Sequence, residues 1–251
     1  MLQLLRFIAG FLLLFGLYHT AEYMIMFKNN PAGFLGFQGL FFTVAYFVAK
    51  WQFKQGFTAW GLDAGKGWLK NIAAGTVMGL VLYILTFLIS LWNGSEKVLS
   101  VPSVSDSWSP FLVFSFGCIF SSLSEDVLTR AYVFKHLRDK TGKLTIVLVS
   151  ASIYLLNHIY RLTDGFIAWI YLFALGVLFI IPLVLTKRLW FTGAMHWAGN
   201  SFFYLTHEIF QTASNKEHLS PNYILTICIL IIIPVNYWVL KMLKLIPEDK
   251  V

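Results

Sequence analysis

The chain has 251 residues, of which 58% are apolar, 18% aromatic and only 12% charged; a soluble domain carries roughly 25% charged residues. Mean hydropathy is +0.70. These values exclude a soluble globular domain, a disordered chain and a disulfide scaffold, because a soluble domain of this length needs a largely polar surface, and they point to a polytopic membrane protein.

Eight apolar stretches follow one another, at roughly 4–27, 33–50, 68–92, 109–135, 144–160, 165–186, 189–208 and 222–243. Most suffice to cross about 30 Å of hydrocarbon as helices, whose backbone groups are satisfied within the segment. The first has only Arg6 ahead of its apolar run, and His19-Thr20-Ala21 is no small-x-small cleavage site, so it reads as an uncleaved helix. It ends near an expected interface pair, His19 and Glu22. The second and fifth are short. Between the second and third, Trp51, Phe53, Phe57, Trp60, Trp68 and four lysines suit the headgroup layer. Residues 93–108, with Asn93, Gly94, Pro102 and five serines, read as a polar external connection. His136 falls in a basic loop, and His207 and Glu208 end the seventh stretch, where solvent exposure is expected. Cys118 and Cys228 lie within spans and read as small apolar fillers.

The basic residues alternate by loop. Arg6, Lys50, Lys54, Lys66, Lys70, Lys135, Arg138, Lys140, Lys143, Lys187, Arg188, Lys241, Lys244 and Lys250 fall on one side; Lys28, Lys97, Arg161 and Lys216 fall on the other. The positive-inside rule then predicts both termini in the cytoplasm. The net charge of +7 is thereby read as a topology signal, and no nucleic-acid partner is expected. The predicted fold class is all-α, a polytopic transmembrane helical bundle with about eight spans. It is read as one integral membrane domain over 1–251, with a polar-bearing core at about 109–205. Membrane lipid is the first partner, and a plasma-membrane location is expected if the source is prokaryotic.

Ionisable groups inside spans are the informative residues. The fourth stretch carries Glu125, Asp126 and Arg130, the fifth Asn157 and His158, and the seventh His196 and Asn200. Five such ionisable groups facing lipid unpaired would cost on the order of 10 kcal/mol, so they are expected to face one another or a wet cavity. Asp126 and Arg130 are i,i+4 and can pair, whereas Glu125 is rotated by about 100° and stays free. Ser121 and Ser122 lie one turn before the two acids and could hydrogen-bond them. Tyr154 and His158 share a helix face, as do His196 and Asn200. Two imidazoles, a free carboxylate and an amide could activate water. A structural polar network and a proton-linked transport path use the same residue types; no inverted repeat of the kind transporters carry is visible.

Three segments resemble the motifs of the CPBP (Abi, or CAAX protease) family of intramembrane proteases, which includes type II CAAX prenyl endopeptidases. They are Glu125-Asp126-Val127-Leu128-Thr129-Arg130, Tyr154-Leu155-Leu156-Asn157-His158 and His196-Trp197-Ala198-Gly199-Asn200. The family usually has Glu at the second acid, Phe and Gly around the Arg, and Phe at the start of the second motif; this chain has Asp126, Thr129, Ala131 and Tyr154. The resemblance implies an endopeptidase acting on a membrane-associated protein or peptide. Glu125 would be the general base on a water, His158 would orient that water, and His196 with Asn200 would stabilise the oxyanion. Asp126, Arg130 and Tyr154 would support them. A second version places Zn2+ on Glu125, His158 and His196, although no His-Glu-x-x-His helix is present. A catalytically weak member acting as a membrane regulator or immunity protein is the alternative, and a proton-coupled transporter a third reading. The site is expected within the membrane and open to the cytoplasm. His158, fifteen residues from Lys143, is expected several ångströms nearer the external face than Glu125. The chain ends Pro247-Glu248-Asp249-Lys250-Val251, which is no CAAX box.

Overall fold

Helices dominate because most segments are long apolar runs punctuated by Gly, Pro and polar turns. The computed structural model describes residues 2–247. Lys250, both chain ends and the last four residues of the terminal sequence lie outside the described residues. The helices are α1 (Leu2–Met26), α2 (Pro31–Phe53), α3 (Trp68–Trp92), α4 (Val104–Asp126), α5 (Tyr132–Leu137), α6 (Lys143–Asn157), α7 (Phe166–Thr186), α8 (Trp190–Tyr204) and α9 (Pro221–Met242). A π turn, Val127–Ala131, joins α4 and α5 into one rod.

Six helical segments among the described residues are long and apolar enough to cross a membrane. This is a multi-pass integral membrane protein. The count differs from eight for a physical reason. α6 has 15 residues, about 22 Å at 1.5 Å per residue and short of the hydrocarbon core, whereas α8, carried on by a π turn at Leu205–Ile209, is long enough but made too polar by His196, Asn200, Thr206 and His207. The second stretch, expected to be short, is in fact 23 residues long. Its start is set by Asn30, which accepts from Gly33 N, followed by Pro31. Its end is set by Lys54 in the left-handed conformation.

Two expected connections are more ordered than their composition suggests. Within 93–108, Glu96–Ser100 forms β1, antiparallel to β2 (Gln211–Ser214), with Glu96 opposite Ser214. α4 begins at Val104 because Ser103 accepts from Asp106 N at 3.2 Å. In 50–70, Phe57–Trp60 forms a short 3-10 turn whose second half, Ala59 and Trp60, packs into the bundle, while Trp51 and Phe57 stay exposed. Trp60 is 1% exposed, and its indole donates to the Ala45 carbonyl at 3.0 Å. His136 is likewise held, on α5 between the rings of Phe7 and Phe53, each 4.9 Å away.

Two apolar cores share a seam. One joins α1 and α2 to the π turn and α5 through Leu14, Tyr18, Phe41, Leu128 and Tyr132. The other joins α3, α6, α7, α8 and α9 through Leu82, Tyr154, Leu172, Phe179, Phe191 and Ile229. The α4–α5 rod runs along the seam. α3 reaches α8 most closely: Gly75 and Gly79, four residues apart, face the backbone carbonyls of Phe191 and Met195, and a methyl group at either glycine would overlap them. Small residues at this spacing let two membrane helices pack backbone to backbone. This contact fixes the depth of α8 and therefore of His196.

Candidate active site

The acids of the seam enter from the last turn of α4, where Glu125 is 5% exposed and Asp126 fully buried. The π turn that follows carries Arg130, also fully buried. Its Nη1 donates to Asp126 Oδ1. Its guanidinium lies between two rings, with Cζ 4.3 Å from the Tyr154 centroid and 4.9 Å from that of Phe179. Aromatic faces attract a desolvated cation, so α6 and α7 help the acid hold the charge. Ser150 on α6 donates to the Thr129 carbonyl at 2.8 Å, tying the widened turn to its neighbour.

Asp126 also reaches α8. Its Oδ1 is 3.1 Å from His196 Nδ1, and the His196 ring stacks on Phe179 at 4.8 Å and 30°. With Nδ1 committed to Asp126, His196 turns Nε2 towards Glu125 Oε2, 3.7 Å away. α6 stops at Asn157, and His158 caps it with φ −81° and ψ 54°. That stop brings His158 Nδ1 to 2.9 Å from the Tyr154 carbonyl and 3.8 Å from Glu125 Oε1. The expected offset in depth between His158 and Glu125 is thus closed by a helix that ends inside the bundle.

Glu125, Asp126, Arg130, Tyr154, His158 and His196 therefore meet. Asn200 sits one turn beyond His196 on α8, half-buried and beside the Cys118 thiol. Gly199 lets the Tyr83 ring lie against α8 at this level. The two serines expected to bond the acids turn elsewhere. Ser121 donates to the Cys118 carbonyl at 3.3 Å, and Ser122 meets the Cys118 sulfur at 3.5 Å. Hydroxyls in helices readily bond back to their own turn. Both cysteines are buried and free.

Asn157, marked in the sequence by its place in an apolar span but given no role there, donates from its amide to Glu125 Oε1 at 3.4 Å. Phe179, one of 24 phenylalanines, carried no such mark. At the other end of α8, His207 is not solvated as expected. Its Nε2 lies 2.9 Å from Glu96 Oε1, and the Glu96 side chain is 4% exposed.

The donor set does not suit a metal as placed. A histidine ligand must offer the metal a nitrogen lone pair. The His158 nitrogen facing Glu125 is the one shared with the Tyr154 carbonyl. Among the described residues, no group of three or more His, Cys, Asp and Glu side chains converges as an ion site.

Residues 107–202 match the family model described as "Type II CAAX prenyl endopeptidase Rce1-like". The matched segment contains all three motifs, which supports the likeness to the CPBP, or CAAX protease, family over that segment. No curated protein and no solved structure matches the chain significantly. The likeness is to a protease family, and six membrane-long apolar helices among the described residues set the chain in lipid.

Proposed function

We propose that the chain is an endopeptidase that hydrolyses a peptide bond of a membrane-associated protein or peptide without a metal. The observation that carries this reading is the position of Glu125. Each of its carboxylate oxygens faces a different imidazole, at 3.8 Å and 3.7 Å. Such gaps exceed a direct hydrogen bond, so neither imidazole takes up the carboxylate's lone pairs and Glu125 can accept from a water placed beside both rings.

In this reading Glu125 accepts a proton from the water as it attacks the scissile carbonyl, then gives that proton to the leaving amine. His158 and Asn157 hold Glu125 and the water in line. His196, oriented by Asp126 through Nδ1–H, donates from Nε2 to the oxyanion as an imidazolium whose charge the Asp126 carboxylate balances, with Asn200 as a second donor. Donors fixed in a dry site stabilise developing charge without having to reorganise. Arg130 and Tyr154 fix Asp126, and through it the ring of His196.

The test compares new peptide termini in membranes of cells carrying the wild type, Glu125→Ala or His158→Ala. Termini present only with the wild type support the protease reading. Identical termini in all three, with the variants folded, leave a non-catalytic membrane regulator as the remaining reading.

A further inference from the structure

Hydrolysis inside hydrocarbon needs a supply of water, and α1 carries polar groups that the mechanism above does not use. The Tyr18 hydroxyl, on a residue 4% exposed, donates to Glu22 Oε1 at 3.0 Å. Glu22 Oε2 lies 2.8 Å from His19 Nδ1, with the Glu22 side chain 25% exposed and that of His19 only 10%. Glu22 is thus the outer member and Tyr18 the inner one. The group approaches the site from two directions. The His19 ring lies 6.2 Å from that of Tyr160, two residues beyond His158. Tyr18 packs in the same core as Val127, two residues beyond Glu125.

α2 adds Gln38, which is fully buried. Gly10 meets Val48 and Gly33 meets Met24, so α1 and α2 run antiparallel with Gln38 level with His19. Neither amide atom of Gln38 has a hydrogen-bond partner, and nor does Asn157 Oδ1. The His19 nitrogens and Glu22 Oε2 lack a well-angled one. A buried unmet donor or acceptor costs about 1–3 kcal/mol, and buried water ordinarily satisfies such groups. The residue types indicate which ligand fits. A bound cation would want acceptors alone and an anion donors alone, whereas Gln38 and Asn157 each offer both, as water requires.

We propose that Glu22, His19, Gln38 and Tyr18 line a water path through the α1–α2 side of the bundle, ending at Asn157 and Glu125. The path rests on the hydrolase reading for its purpose and on the unmet polar groups for its existence. Its α1 and α2 residues lie outside the segment 107–202 that matches the family.

Hydroxyl-radical footprinting of the full chain in lipid nanodiscs tests it, because radicals generated from bound water oxidise the side chains next to them. Tyr18 and His19 should label several-fold faster than Phe41, a buried neighbour in the same core. Labelling as slow as that of Phe41 would overturn the path in the wild type, with no variant needed. Gln38→Leu, close in volume but apolar, should lower Tyr18 labelling several-fold, and unchanged labelling would overturn the continuity of the path. Labelling without any cleavage removes the protease reading and leaves the path; cleavage without labelling does the reverse.

Discussion

Asp126 and His196 stand 3.1 Å apart, on helices 70 residues apart in sequence, and the same carboxylate oxygen also holds Arg130. One acid therefore neutralises a buried cation and orients an imidazole. Its companion, Glu125, is left to face the space between His158 and His196.

Asp126→Asn should be costly for both reasons. Removing one partner of a buried pair typically costs about 3–5 kcal/mol, so unfolding in detergent should shift markedly. Replacing Asp126 and Arg130 together with apolar residues should cost less than the sum of the two single changes, and an additive cycle would contradict the pairing. Asp126→Glu, which restores the residue usual in the family, should keep the charge and most of the stability.

Glu125→Gln keeps the shape and removes the base. Cleavage of a reporter peptide in proteoliposomes should fall by about 10²–10⁴-fold, with the unfolding transition little changed. A loss that came entirely from a raised KM, with kcat unchanged, would show that Glu125 binds substrate and does not act on water.

Treatment with 1,10-phenanthroline should leave cleavage unchanged, since the His158 nitrogen facing Glu125 is shared with the Tyr154 carbonyl. Loss of cleavage that added Zn2+ restores would establish the zinc version and require His158 to turn its ring.

Gly79→Val places a branched side chain against the Met195 carbonyl. Overpacking of this kind typically costs 1–3 kcal/mol, about the range expected here or somewhat above it. α8 should be displaced and cleavage lost together with stability. A change of similar bulk at Gly36, where a Cβ would meet nothing within 4 Å, should be silent in the same unfolding assay.

Glu96→Gln should loosen the β1–β2 ribbon, because it weakens the contact between Glu96 and His207. Faster amide exchange in residues 96–100 and 211–214, with Glu125 still active, is the expected pattern.

Much of this site is legible in the chain because its links are local or costly. Asp126 and Arg130 pair at i,i+4, and the split between a neutralised acid and a free one follows from 100° of helix rotation. Charge is so scarce that ionisable groups in mid-span stand out. The relationships that were not legible are non-local. The Glu96–His207 pair joins a strand to a helical turn 111 residues away, and Trp60 leaves the surface because the Tyr132 and Phe53 rings and the Ala45 carbonyl are within its reach. The end of α6 at Asn157 was hidden because the apolar run continues to Tyr160, while the backbone turns at His158. Apolar pattern reports which segments lipid tolerates, not where a helix stops among its neighbours.

The π turn at Val127–Ala131 acts as a change of phase in a single rod. Before it, the helix aims its acids at α8 and the end of α6. After it, Tyr132 donates to the Phe7 carbonyl at 2.8 Å, on the α1 side. An unbroken α-helix advances about 100° per residue, and the wider π turn advances less, so the turn resets the angle between the two faces. Deleting one residue from the turn would keep every motif letter outside it, yet rotate one half of the rod against the other. The spacing between Asp126 and Tyr132 is therefore as much a determinant of the site as the identity of its acids.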